Sequence, residues 1–267
     1  MSKSQAQQQR TMPPSELDHH LSYLKLPFMA QHYNKLAQQA ATKQWSHLDY
    51  LSTLTQGEAD LRRDRATQNR IRQARFPVIK TLDQFRWDWP TVINRMQVQN
   101  HFSLGFIKDK GNLIYLGGVG LGKTHLATAL GYTACLQGYA VLFSSAIDVI
   151  NTLSAAKTSG RLKQELKKYT KPSLLILDEL GYLPIDKAGA DLLFQVISPL
   201  RQGHLLARKV LELERARRAS RVNGEDVFAH LHRAMPRHMH DLVSFCREAV
   251  AEGNLERPFI GVIQPVF

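Results

Sequence analysis

Cysteine is scarce: Cys135 and Cys246 are the only two in 267 residues. That is too few for a disulfide framework in a chain this long, and it fits a reducing, cytoplasmic setting. Long apolar runs are missing too. No stretch approaches the roughly 18 residues of a membrane span, and the start, MSKSQAQQQRTMPP, has no apolar centre of the kind a signal peptide needs. No internal repeat is visible. Acids are few relative to bases: 23 Asp and Glu against 35 Lys and Arg give a formal charge of +12. A polyanion, nucleic acid first, is therefore the partner to expect. With 43% hydrophobic and 22% charged residues, the chain can fill a core, and wholesale disorder is excluded.

Residues 1–15 are Gln-rich and polar and read as a disordered arm. Residues 16–90 read as a helical N-terminal region. Leu17, Leu21, Leu24, Met29, Tyr33 and Leu36 recur at helical spacing with Pro27 between them, which predicts two short helices. Ser46 is a candidate N-cap for a third. Residues 61–80 then carry seven basic side chains and one acid. Arg62, Arg63, Arg65, Arg70, Arg72 and Arg75 are candidate contacts to a nucleic-acid phosphate backbone, with a solvated helix as the plainer reading.

From 91 to 198 the pattern changes. NLIYL (112–116), YAVLF (139–143) and SLLILD (173–178) read as buried strands separated by helical stretches, the β-α-β alternation of a parallel sheet. Beyond Ser198 the rhythm stops. Residues 203–222 read as a charged helix and 224–251 as more helix broken by Pro236, so 199–267 is expected to be a divergent, mainly helical tail in which only PFIGVI (258–263) looks like strand.

The first strand runs into Gly117-Gly118-Val119-Gly120-Leu121-Gly122-Lys123-Thr124 and then a helix, which satisfies the phosphate-loop pattern in its required strand-loop-helix setting. Glycines let successive backbone N–H groups converge on phosphate oxygens, and the helix N-terminus adds partial positive charge. Lys123 is expected to reach the β- and γ-phosphates of ATP and Thr124 to place its hydroxyl on Mg²⁺. His125, at the start of the helix, closes the nucleotide-binding segment and is expected to pack or cap. About fifty residues on, the strand LLIL ends in Asp178-Glu179. An acid at the carboxyl end of a parallel strand sits on the ligand edge of the sheet, so Asp178 is assigned to the metal and Glu179 to the attacking water.

The phosphate loop with GKTHLATALG, the stretch LDELGYLPIDKAGADLLFQVIS (177–198) and the upstream RIRQARFPVIKTLDQFRW (70–87) together resemble the IstB-like ATP-binding proteins. Those are the ATPase partners of insertion-sequence transposases and are similar to DnaC helicase loaders. The resemblance covers residues 17–198. It implies an AAA+ type P-loop domain with a parallel sheet that oligomerises on duplex DNA with Mg-ATP and directs a transposase to its target. A helicase loader, or a nucleotide-gated DNA binder or inactive remnant that does not turn ATP over, are the alternatives. The sequence departs from the family after Ser198, as a frameshift or fusion would make it do. If the tail is foreign, the sheet is expected to lose a central sensor strand and the site a charge-stabilising arginine, for which Arg201 is the nearest candidate. His230, His232, His238 and His240 near Cys246 do not match common zinc spacings. Asn223 with Asp226 reads as a helix cap.

Overall fold

The computed structural model describes residues 14–88, 93–109, 111–117, 120–180, 187–197, 208–213 and 259–263. The chain divides into two compact units, Met1–Gln68 and Asn69–Phe267. Among the described residues the first unit holds α1 (Pro14–Tyr23), α2 (Pro27–Lys43) and most of α3 (His47–Ala74).

The local sequence explains the helix boundaries. Pro27 begins α2 at its first turn, where a missing N–H costs nothing. Ser46 and Asp49 cap α3 reciprocally: the Asp49 amide donates to Ser46 Oγ at 3.1 Å, and the Ser46 hydroxyl donates to the Asp49 carboxylate at 2.7 Å. These bonds hold the Asp49 carboxyl below its ordinary value. The N-cap of α2, Leu26, makes no side-chain capping bond. Instead the buried Glu58 of α3 accepts from the Phe28 amide at 2.9 Å. The approach is close because Gly57 lies under Phe28, where a Cβ would come within 2.0 Å of the ring.

The second unit begins within α3, at Asn69. The segment after α3 belongs to the second core: Phe85 is buried there, with Phe76, Leu82 and Trp87 packed against the same cluster. A short 3-10 turn (Leu82–Gln84), α4 (Arg95–His101) and α5 (Gly105–Lys108) follow. Then come β1 (Asn112–Gly117), α6 (Lys123–Leu136), β2 (Val141–Ser145), α7 (Ala146–Thr158), α8 (Leu162–Thr170), β3 (Leu174–Leu180) and α9 (Lys187–Ile197). Two further strands, β4 (Arg208–Leu213) and β5 (Phe259–Ile263), complete the described elements.

All five strands are parallel, in the order β2-β3-β5-β1-β4. Such a sheet buries both faces, and Leu113, Tyr115, Leu174, Leu175, Ile176 and Leu177 are 0–1% exposed. Helix α6 lies against it so closely that a Cβ on Gly131 would meet Ile176 at 2.6 Å and Phe76 at 2.8 Å.

Two sequence expectations are corrected. RKVLEL (208–213) is the edge strand β4 beside β1, not part of a charged helix; its Leu, Glu and Lys content favours a helix, and pairing with a distant strand overrides that preference. Nor does the sheet lack a central strand. FIGVI, the strand-like run near the end, enters between β1 and β3 and pairs backbone groups that would otherwise be buried unsatisfied. The rest of the expected helical tail lies outside the described residues.

Candidate nucleotide site

The carboxyl edge of the sheet brings the two motifs together. β1 and β3 are separated by β5 alone, so the phosphate loop and the Asp178-Glu179 pair leave the sheet about 10 Å apart, two strand spacings. Gly120 and Gly122 take left-handed conformations, φ +76° and +83°, which side chains resist. Gly122 is the N-cap of α6, and its carbonyl accepts the first helical bond from the Leu126 amide at 2.9 Å. Gly118 and Val119 lie outside the described residues.

Lys123 opens α6 and is only 4% exposed. Burial pulls its pKa down, and the Asp178 carboxylate, itself buried, opposes the shift. Burying an ammonium is costly, and the charge of Asp178 at the end of β3 offsets only part of that cost. Thr124, Asp178 and Glu179 line one cavity of about 1040 Å³. The donor set suits the group the sequence implies: an exposed hydroxyl and a carboxylate for a hard divalent ion, with a buried cation and open glycine backbone for phosphates.

The structure adds two features that sequence patterns do not reveal. β3 carries a bulge: Leu177 pairs with Gly261 and Leu180 with Ile263, so Asp178 and Glu179 together oppose one residue of β5. Glu179 sits at φ +58°, and its amide donates to Asp178 Oδ1 at 2.8 Å. A bulge re-aims side chains, and here it leaves Asp178 buried and Glu179 exposed on consecutive residues. The second feature is an aromatic brace. Phe85 packs edge-on to His125 and Trp87, with centroids at 5.4 and 5.0 Å, and Arg95 lies 4.9 Å over Trp87. The His125 ring is engaged with the Thr81 carbonyl at 2.9 Å.

The six arginines separate by partner. Arg62 donates to Glu58 at 3.2 Å and to the Lys25 carbonyl at 3.0 Å. Arg63 pairs with Asp60, and Arg72 with Asn69. Arg70 donates to the Cys135 carbonyl at 3.0 Å, the end of α6, where a cation answers the helix dipole. Arg65 is exposed, and Arg75 lines the cavity. Arg201, the four histidines, Cys246, Asn223 and Asp226 lie outside the described residues. Among the described residues no His, Cys, Asp and Glu cluster could hold a metal, and no helix is long and apolar enough to cross a membrane.

Comparison with known proteins agrees with this geometry. The family model of IstB-like ATP binding proteins matches residues 19–206. The ATP-binding protein of insertion sequence IS232 from Bacillus thuringiensis subsp. berliner is 38% identical over 68% of this chain and 73% of its own length. That of insertion sequence IS21 from Pseudomonas aeruginosa is 39% identical over 68% and 69%. Among solved structures, the DnaC helicase loader aligns with a TM-score of 0.45 and 20% identity over 67% of this chain and 95% of that one. A DNA replication initiation factor aligns with a TM-score of 0.38 and 17% identity over 69% of this chain but only 41% of its own. Both β4 and β5 lie beyond the residues that the family model matches. With a complete strand-loop-helix phosphate motif, a facing acidic strand end and a family match over most of its length, the chain belongs to the IstB-like ATP-binding proteins and has their AAA+ type P-loop fold.

Proposed function

We propose that this protein is a Mg-ATP-dependent helper of DNA transposition that oligomerises on duplex DNA and directs a transposase to its target. The observation that carries the reading is the buried Lys123 at the start of α6 together with the buried Asp178 at the end of β3, in a chain whose relatives are insertion-sequence ATP-binding proteins.

Lys123 binds the β- and γ-phosphates, and exclusion of water strengthens the attraction between the ammonium and the phosphate oxygens. The α6 N-terminus and the loop amides orient them. Thr124 and Asp178 would hold Mg²⁺, which neutralises phosphate charge when bound. Glu179, turned out by the bulge, takes the proton of an attacking water. The net charge of +12 supports a backbone-directed contact with DNA that carries little base readout.

ATP turnover measured with and without duplex DNA tests the proposal. Duplex should stimulate turnover, Glu179→Gln should abolish it while ATP still binds, and Lys123→Ala should abolish binding with the fold intact. Unchanged ATP affinity in Lys123→Ala would refute the site. ATP binding without turnover in the parent protein would replace the ATPase with a nucleotide-gated DNA binder, and preference for single strands over duplex would favour a helicase-loader role.

A further inference from the structure

The second unit carries a basic surface apart from the nucleotide-binding edge. Between residues 157 and 171 stand Lys157, Arg161, Lys163, Lys167, Lys168 and Lys171, against the single acid Glu165. All six are exposed. Glu165 is taken up by Lys168 at 2.7 Å.

Lys163, Lys167 and Lys171 are four residues apart, and Lys171 keeps right-handed helical geometry as the C-cap of α8. They form one row along the helix, with steps of about 6 Å. Like charges at this spacing destabilise a helix. The macrodipole accounts for Lys167 and Lys171 at its carboxyl end but not for Lys163 in the first turn, where a cation is unfavourable. The row is thus unfavourable in isolation and becomes favourable when a polyanion neutralises it.

Its position fits such a partner. The cavity that reaches Asp178 and Glu179 is also lined by Lys168, Lys171 and Arg75. The parallel register sets the lysines apart from the acids: Val141 pairs with Leu174, just after Lys171, and Ser145 pairs with Asp178. Four strand residues, about 13 Å, separate the two ends. A phosphate backbone held by the row would thus lie toward the amino end of β3, about four strand residues from the carboxylates. The arginines of α3, by contrast, are largely engaged by Glu58, Asp60, Asn69 and backbone carbonyls.

We propose that the Lys163–Lys167–Lys171 row is a nucleic-acid phosphate-backbone contact of the ATPase unit, and that it outweighs the α3 arginines. The inference deepens the DNA-binding part of the proposed function and rests on it.

The test is a salt titration of binding by the full-length protein, with ATP, to labelled duplex and single-stranded oligonucleotides of equal length. The variants are the triple Lys163→Gln/Lys167→Gln/Lys171→Gln, the double Lys167→Gln/Lys171→Gln in case the triple misfolds, and Arg63→Gln/Arg65→Gln as a comparison. Three lost contacts should flatten the duplex slope of log affinity against log salt by about 2.7, roughly a 40-fold smaller loss between 50 and 200 mM salt. Thermal stability should hold, and Arg63→Gln/Arg65→Gln should flatten the slope less than Lys167→Gln/Lys171→Gln, which removes the same number of charges. Tighter binding of duplex than of single strands at the same salt identifies duplex as the source of the phosphates, and the reverse identifies single strands. An unchanged slope in the lysine variants, with the parent still binding, overturns this inference alone. A parent that binds neither nucleic acid overturns the DNA-binding reading itself. Loss of transposase binding with nucleic-acid binding intact would reassign the row to a protein partner and overturn it as well.

Discussion

Gly122 and Gly120 form a matched pair for testing how the phosphate loop is built. Both are left-handed, so a Cβ at either costs about 1–2 kcal/mol. They differ in surroundings: a Cβ on Gly120 meets nothing within 4 Å, whereas one on Gly122 comes 2.7 Å from the Phe85 ring. Phe85 is 5% exposed and held edge-on by Trp87 and His125, so it cannot move without disturbing the core. Overpacking of that kind costs a further ~1–3 kcal/mol. Urea unfolding should therefore show Gly122→Ala less stable than Gly120→Ala by about the overpacking amount alone. The cycle with Phe85→Leu isolates the contact. In the Phe85→Leu background the gap between the two glycine variants should shrink, an interaction energy of about 1 kcal/mol or more. Equal stability of the two glycine variants, or strict additivity with Phe85→Leu, would refute the brace as the reason that the sixth loop position is glycine.

The N-terminal unit and the buried thiol give two further expectations. Glu58→Ala removes the acceptor for the Phe28 amide and the partner of Arg62; the lost cap and charge-assisted bond should destabilise that unit by about 2–3 kcal/mol. Hydrogen exchange at Phe28 should accelerate before that at α6, and unchanged protection would sink the assignment. Burial pushes the Cys135 thiol up to about 11 from 9.0. The folded chain then holds a proton that the unfolded chain releases, so this contribution to stability is full below pH 9 and is lost as pH rises from 9 through 11. Cys135→Ala should remove that part of the alkaline loss, as urea midpoints across the range would show, and an identical alkaline slope would contradict it.

What was legible in the sequence was what local spacing determines. The glycines and Lys123 declare a phosphate loop because each residue type answers a requirement of the next few, and LLIL followed by two acids declares a strand end at the ligand edge. Pro27 and Ser46 marked helix boundaries for the same reason. Features that depend on distant partners were not legible. Arg62 and Arg70 look alike in a basic run, and only the Lys25 and Cys135 carbonyls distinguish them. The bulge that separates Asp178 from Glu179 exists because β5 pairs with β3 from far along the chain. RKVLEL reads as helix on composition and becomes strand through β1.

The late arrival of β5 affects how the molecule is made. Remove that strand and the sheet falls into two pairs, β2 with β3 and β4 with β1, with no ladder between them. During synthesis the phosphate loop and the acids that face it would thus be on separate halves until residues 259–263 emerge and join them. Contacts closed over so long a loop form slowly, and a nascent chain stopped short of residue 259 would carry both motifs without the strand that sets the spacing between them.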